Sequence, residues 1–125
     1  MPEVTAKKNN QIAKMIFGSI YPLYLSRIQK HGRTKVELDQ VILWLTGYDQ
    51  SKLESFIAGN GSFDDFFKGA KIHQNAYLIR GVVCGYRIED ISDEFALYRD
   101  CRRMEKLIDE LAKGRKMEKI LRTVY

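Results

Sequence analysis

Apolar residues recur every three or four positions along most of this chain, the period of a helix with one buried face. From Gln11, the positions Ile12, Met15, Ile16 and Ile20 keep that spacing. Pro22 stands where a second helix can begin, because a first turn has no use for the N–H that proline lacks. Leu25 and Ile28 continue the face, Tyr21 and Tyr24 lie beside it, and Gly32 after His31 ends it. The next helix is written with a start, a stripe and a stop. Thr34 and Glu37 are spaced as a capping box, Leu38, Val41, Ile42 and Leu45 form the stripe with Trp44 at its edge, and Gly47 follows. Asp49 then caps a helix whose inward residues are Leu53, Phe56 and Ile57, ended by Gly59–Gly61. Ser62 caps a short turn holding Phe63, Phe66 and Phe67, with Asp64 and Asp65 at its positive end.

Ala70–Gln74 reads as loop. Val82 and Val83 are β-branched and suit a strand, but no partner strand of similar character is evident, so Ala76–Cys84 reads as helix. Phe95–Lys113 is the strongest helical pattern. Its apolar residues Leu97, Cys101, Met104, Ile108 and Leu111 alternate steps of four and three until Gly114. Met117, Ile120 and Leu121 form a last turn or two. The alternating stripe fits the wall of the monomer's own core or the seam of a homodimer. It spans too few heptads for a coiled coil, and a core is the commoner use.

Residues 1–10 are polar, have nothing to pack, and are expected to be disordered. The remainder, 11–125, forms one domain. The fold class is therefore all-α: a single compact helical domain of five to seven helices, its long C-terminal helix packed on the Thr34–Gly47 helix. The expected core comprises Leu38, Val41, Ile42, Leu45, Leu53, Phe56, Cys101, Met104, Ile108 and Leu111.

Composition supports this outline. A chain of 125 residues is one ordinary domain, and 45% hydrophobic residues suffice for a core. Two prolines are too few for the turns of an all-β fold. The start has no apolar leader, and Lys14, Arg27 and Lys30 cut the longest apolar stretches. A cytoplasmic protein with no membrane contact is expected.

Twenty-one Lys and Arg against sixteen Asp and Glu leave a net charge of +5. The size of the excess matters less than its place. Lys113, Arg115, Lys116, Lys119 and Arg122 crowd the C-terminal tail, diluted by Glu118. With Lys52, near the start of the Asp49-capped helix, they are the candidate nucleic-acid contacts. Two stretches, Leu45–Leu53 and Val83–Ile91, share an apolar end, Gly-Tyr, and an apolar residue five positions on. Each resembles half of a helix–turn–helix corner. The second has the small residues Gly81 and Gly85, but its would-be recognition helix carries Glu89, Asp90, Asp93 and Glu94, which phosphates would repel. The first has Gln50, Ser51 and Lys52 to reach DNA, but Leu43 stands where a small residue belongs.

Little else points to chemistry. Gly59–Ser62 lacks the lysine and the strand–helix setting of a phosphate loop. Cys84, Cys101, His31 and His73 are not spaced as metal ligands, and no cofactor is expected. Cys84 with His31 or His73 would make a nucleophile pair, yet a thiol between Val83 and Gly85 is more simply packing. The four carboxylates at 89–94 read as a solvated turn before the long helix.

Four segments together, SIYPLYLSRIQKHG, GRTKVELDQVILWLTGYD, GVVCGYRIEDI and DELAKGRKMEKILR, resemble the bacterial family catalogued as domain of unknown function 2200. The resemblance runs from about residue 11 to residue 122. It implies a small single-domain bacterial protein, and carries over no activity, cofactor or catalytic residue. The first functional expectation is a non-catalytic interaction module acting through a helical surface, including as a homodimer. The second is nucleic-acid binding through the basic tail or the Tyr48–Lys52 corner. The third is an enzyme built on Cys84 or the acidic cluster.

Overall fold

The computed structural model describes residues 3–123. Seven helices are present: α1 (Ala6–Lys14), α2 (Phe17–Gln29), α3 (Lys35–Thr46), α4 (Gln50–Ala58), α5 (Phe63–Lys68), α6 (Ala96–Ala112) and α7 (Met117–Ile120). Between α5 and α6 the chain forms 3₁₀ turns at Ala76–Leu78, Ile88–Asp90 and Asp93–Phe95. The same stretch holds a hairpin of β1 (Val82–Val83) and β2 (Tyr86–Arg87). The expected helical domain is thus present, with one small sheet.

The caps fall where the side chains dictate. Thr34 and Glu37 close a reciprocal capping box on α3, and Ser62 and Asp65 do the same on α5. Asp49 accepts from the Lys52 N–H to start α4. Gly47 ends α3 at φ 74°, a left-handed conformation that costs a residue with Cβ about 1–2 kcal/mol. The chain then runs back past that end. The N–H groups of Lys71 and His73 donate to the carbonyls of Thr46 and Leu45, at 2.8 and 3.0 Å. A Cβ at Gly47 would lie 2.9 Å from the Lys71 carbonyl oxygen. The 70–74 loop therefore serves to satisfy orphaned carbonyls of α3.

Helix α6 is the spine. It packs on α1, α2, α3 and α5, and α7 folds back onto it. Cys101, Met104, Leu107, Ile108 and Leu111 of α6 meet Leu38, Val41, Ile42 and Leu45 of α3 and Phe17, Tyr21 and Ile28 of α2 in one buried cluster. Each such side chain contributes about 1.5–3 kcal/mol by leaving water. The four-and-three stripe of α6 is consumed here, so it is not available as a dimer seam. At the other end of the core the rings of Phe17 and Phe66 stack at 4.1 Å, with Phe56 and Phe63 edge-on to one or both. Phe56 is half-buried, on the rim of the core rather than within it.

Three local expectations are corrected. The segment expected to be disordered, 1–10, is helical from Ala6. Thr5 caps it, and the Asn9 side chain accepts from the Tyr98 N–H at 3.2 Å, so it docks on the start of α6. Met1 and Pro2 lie outside the described residues.

The break between the first two helices falls at Met15–Ile16, not before Pro22. There the chain extends to pair with the strand-like residues before α5: Phe17 N–H donates to Gly61 at 3.0 Å and Phe63 N–H to Met15 at 2.8 Å. Pro22 lies inside α2 on its exposed face and removes only the bond to the Gly18 carbonyl.

Ala76–Cys84 is not a helix. Its valines pair with a partner only two residues away, Val82 with Arg87 and Val83 with Tyr86. Cys84 and Gly85, at φ 51° and 83°, make the two-residue turn. The Gly-Tyr that looked like a helical corner is a hairpin turn. The helix–turn–helix reading of Val83–Ile91 and its echo of Leu45–Leu53 both fall with it.

Candidate functional site

Two places concentrate ionisable groups. The first is the pole where α2 ends, α3 begins and α6 hands over to α7. Its construction starts with Arg33, in the corner after α2. Arg33 donates through Nη1 to the carbonyl of Arg115 at 2.8 Å, and its guanidinium holds Glu37 at 2.8–2.9 Å. A longer bond from the same Nη1 to the Leu111 carbonyl, at 3.4 Å, sets the cation at the C-terminus of α6, where positive charge is favourable. Beside it Asp109 is shared by Arg27 of α2 and Lys113, the latter at 3.0 Å. Burial works against ionisation of Asp109, but Lys113 and Arg27 outweigh it and hold its carboxyl below the usual range.

Glu110 is the buried anchor of the pole. It is 5% exposed. Arg122 reaches both of its oxygens, at 3.0 and 2.7 Å, and Arg115 adds a contact at 3.3 Å. This pair ties the chain after α7 to α6. The Arg122 carbonyl accepts from the Asn75 side chain at 2.8 Å, and Trp44 Nε1 donates to the Thr123 hydroxyl at 2.9 Å. The C-terminal segment is thereby laid along α3. Trp44, the one tryptophan, stacks on His73 at 4.2 Å.

The six candidate contacts divide. Lys113, Arg115 and Lys116 come together at the pole, with Lys119 on the adjoining turn. Arg122 turns inward to Glu110 and is spent on structure. Lys52 lies apart: it opens α4 beside the C-terminus of α3, whereas the pole sits at the N-terminus of that 12-residue helix. At 1.5 Å per residue the two are about 18 Å apart along the helix. Lys52 Nζ stands over the Phe56 ring at 5.5 Å instead. Gln50, the other candidate base reader, donates to Asp39 and Glu54 at 2.8 and 2.9 Å. The Tyr48–Lys52 corner therefore presents no free recognition face.

What the tail gains in return is Arg27, Lys30 and Arg33, cations of the α2–α3 corner that sequence distance kept out of view. The signal was present as RIQKHGR, a basic run around Gly32. With the tail they make eight cations, against Glu37, Asp109, Glu110 and Glu118. The pole thus carries four of the five net positive charges of the chain. Lys30, Lys116 and Lys119 meet no carboxylate among the described residues.

The second place lies where the hairpin tip meets α6. Glu105 accepts from Cys101 Sγ at 3.6 Å through one oxygen and lies 3.9 Å from Cys84 Sγ through the other. Arg102 holds the same carboxylate at 2.5 Å and donates to the Tyr98 hydroxyl at 2.9 Å, over whose ring it lies. Burial, then Cys101 and Glu105, push the Tyr24 phenol well up. Burial likewise pushes up the Cys101 thiol, with Glu105 adding to the effect. Cys101 is 1% exposed, whereas Cys84 faces solvent.

Neither histidine joins this group. His73 stacks on Trp44 and accepts from the Asn75 N–H, and His31 is in the exposed corner after α2. The Cys–His pair considered from the sequence is not assembled. Among the described residues no cluster of His, Cys, Asp and Glu has metal-binding geometry, and no helix is long and apolar enough to cross a membrane. The acidic run is engaged piecemeal: Glu89 accepts from the Gly81 N–H, Asp90 meets Arg87, and Asp93 meets Arg99.

Comparison with known proteins agrees with this architecture. A solved structure described as uncharacterized protein SP1917 superposes with a TM-score of 0.83 at 32% sequence identity, covering 90% of this chain and 91% of that one. A search of the curated proteins gives no match. The family model described as an uncharacterized protein conserved in bacteria, domain of unknown function 2200, matches residues 11–122, and the chain belongs to that family.

Proposed function

We propose that this protein is a non-catalytic binding module and that its contact surface is the basic pole. Its partner is the phosphate backbone of a nucleic acid. The observation that carries the reading is the meeting of two distant stretches of chain, Arg33 with the Arg115 carbonyl and Arg27 with Asp109, the partner of Lys113; Lys30, Lys116 and Lys119 flank these contacts in sequence and complete the surface in this reading. Charges brought together in this way focus a field that draws in polyanions. The structural cations, Arg33 and Arg122, hold the surface in shape, and the three unpaired lysines supply the free charge. Val83–Ile91 is a hairpin and Gln50 is engaged by Asp39 and Glu54, so the recognition proposed is of backbone and shape, not of sequence.

Charge reversal tests this. Lys116→Glu with Lys119→Glu removes two exposed cations without touching the core. Affinity for mixed duplex DNA or structured RNA should fall, and the slope of log K against log salt should shrink by about two, roughly one for each phosphate no longer neutralised. Unchanged affinity and slope would remove the pole from consideration.

A further inference from the structure

The thiol group at the hairpin tip is not used by the binding surface and has features that packing does not explain. Cys84 is the only residue other than glycine at positive φ among those described, at 51°. The first position of such a turn favours Gly, Asn or Asp, and a residue with a larger side chain is held there at a conformational cost. The side chain so held is exposed and points at Glu105. On the other side of that carboxylate is Cys101, sealed in the core and donating to it. One carboxylate therefore separates an accessible thiol from an inaccessible one. The pieces differ in how they can move. Cys101 is fixed in the second turn of α6, and Cys84 is at the tip of a two-residue turn joining strands of two residues each.

We propose that Cys84 and Cys101 form a redox pair, oxidised by a hydroperoxide to an intramolecular disulfide. In the first step the Cys84 sulfur attacks the terminal peroxide oxygen and the O–O bond breaks. Cys84 becomes a sulfenic acid, and the remaining peroxide oxygen takes up the Cys84 proton and leaves as water or an alcohol. In the second step the Cys101 sulfur attacks the Cys84 sulfur and the S–O bond breaks. The hydroxyl leaves as water with the Cys101 proton, which Glu105 is placed to relay. Two thiols and one peroxide thus give one disulfide, one water and one further water or alcohol. Exposure decides the order, because oxidants reach Cys84 and not Cys101. For the bond to close, Glu105 swings out with Arg102 and the hairpin tip settles onto α6, bringing the Cα atoms to the roughly 4.4–6.8 Å that a disulfide requires.

The experiment treats the full chain, natively folded, with one equivalent of hydrogen peroxide, then alkylates and digests it with trypsin. The expected product has lost two hydrogens and both titratable thiols, and yields GVVCGYR, residues 81–87, joined to DCR, residues 100–102. Dithiothreitol restores both thiols. In Cys101→Ser the reaction stops at the first step, and dimedone labels Cys84. The proposal is overturned if peroxide leaves Cys101 reduced while Cys84 advances to sulfinic acid or bridges two chains.

Discussion

Replacing Glu110 tests the construction of the basic pole, because stability and affinity should move in opposite directions. Glu110 is 5% exposed and is the buried counter-charge of Arg122, whose side chain is 15% exposed. Removing one partner of a buried pair costs about 3–5 kcal/mol, since the other is left charged and unpaired. Arg115 is half exposed, so its contact with Glu110 adds at most about 1 kcal/mol. Glu110→Ala should therefore lose on the order of 3–4 kcal/mol. Glu110→Gln, which keeps one acceptor, should lose about half of that.

Urea unfolding at neutral pH reads the effect as a lower midpoint with the same slope. For Glu110→Ala the melting temperature should drop on the order of 10 °C. Trp44 reports locally, because its indole N–H bonds Thr123 in the segment that Arg122 anchors. Its emission should shift before global unfolding in both variants. Polyanion affinity, measured well below the melting point, should rise, since a negative charge is gone from the pole. A loss under about 0.5 kcal/mol, the range of an ordinary surface change, would refute the assignment of Glu110 and Arg122 as the anchor.

Other predictions follow from the same structure. Gly18→Ala places a Cβ 2.5 Å from the Ile57 carbonyl oxygen and 3.1 Å from those of Phe56 and Gly59, all backbone. It should cost about 1–3 kcal/mol in urea unfolding despite the better helix propensity of alanine. Asp39 is buried and accepts from the Tyr21 hydroxyl, from Lys35 Nζ at 2.6 Å and from Gln50 at 2.8 Å. Asp39→Ala orphans the buried Tyr21 hydroxyl and should cost about 1–3 kcal/mol, with Asp39→Asn recovering part, read by the same assay. Acid should destabilise the fold. Glu37, Glu54, Asp65, Glu89, Asp93 and Asp109 have lowered folded pKa values, so their contribution is fully present above the ordinary 3.8–4.5 and is lost as pH falls below that range through the lowered folded values. Asp100, raised by burial, runs the other way but is one group against six. Melting temperatures that hold steady from pH 6 down to about pH 3 would contradict this sign.

The readable part of the fold was local. The α3 helix was legible end to end because its cap, stripe and stop lie within contiguous residues. The stripe of α6 had the right period to be read as a core face. What failed was tertiary in origin. The polar run Lys7–Asn10 is helical because Tyr98 and Tyr86 offer a surface that the N-terminal sequence does not reveal. Nothing near Met15 announces a break, because Gly61 and Phe63, the residues that pair there, are more than forty positions away. The hairpin is hidden because the partner of Val82–Val83 is Tyr86–Arg87, two residues of different character across the Cys84–Gly85 turn. The candidate site shows the same division. The tail lysines were visible as a cluster, but the consumption of Arg122 by Glu110 depends on α7 folding back onto α6. The addition of Arg27, Lys30 and Arg33 depends on α2 ending beside Lys113. Lys52 shared the charge but not the surface.

The most direct measurement is the salt dependence of binding by the unaltered protein. Fluorescence anisotropy with mixed duplex DNA and with structured RNA, from low to physiological salt, gives the number of phosphates engaged. Lys30, Lys116 and Lys119 as free cations predict a slope of about −3 on duplex DNA, with binding that tightens as salt is lowered, is roughly micromolar or weaker at physiological salt, and depends little on sequence. Binding absent at every salt concentration, or a slope near zero, would contradict the basic pole as a contact surface.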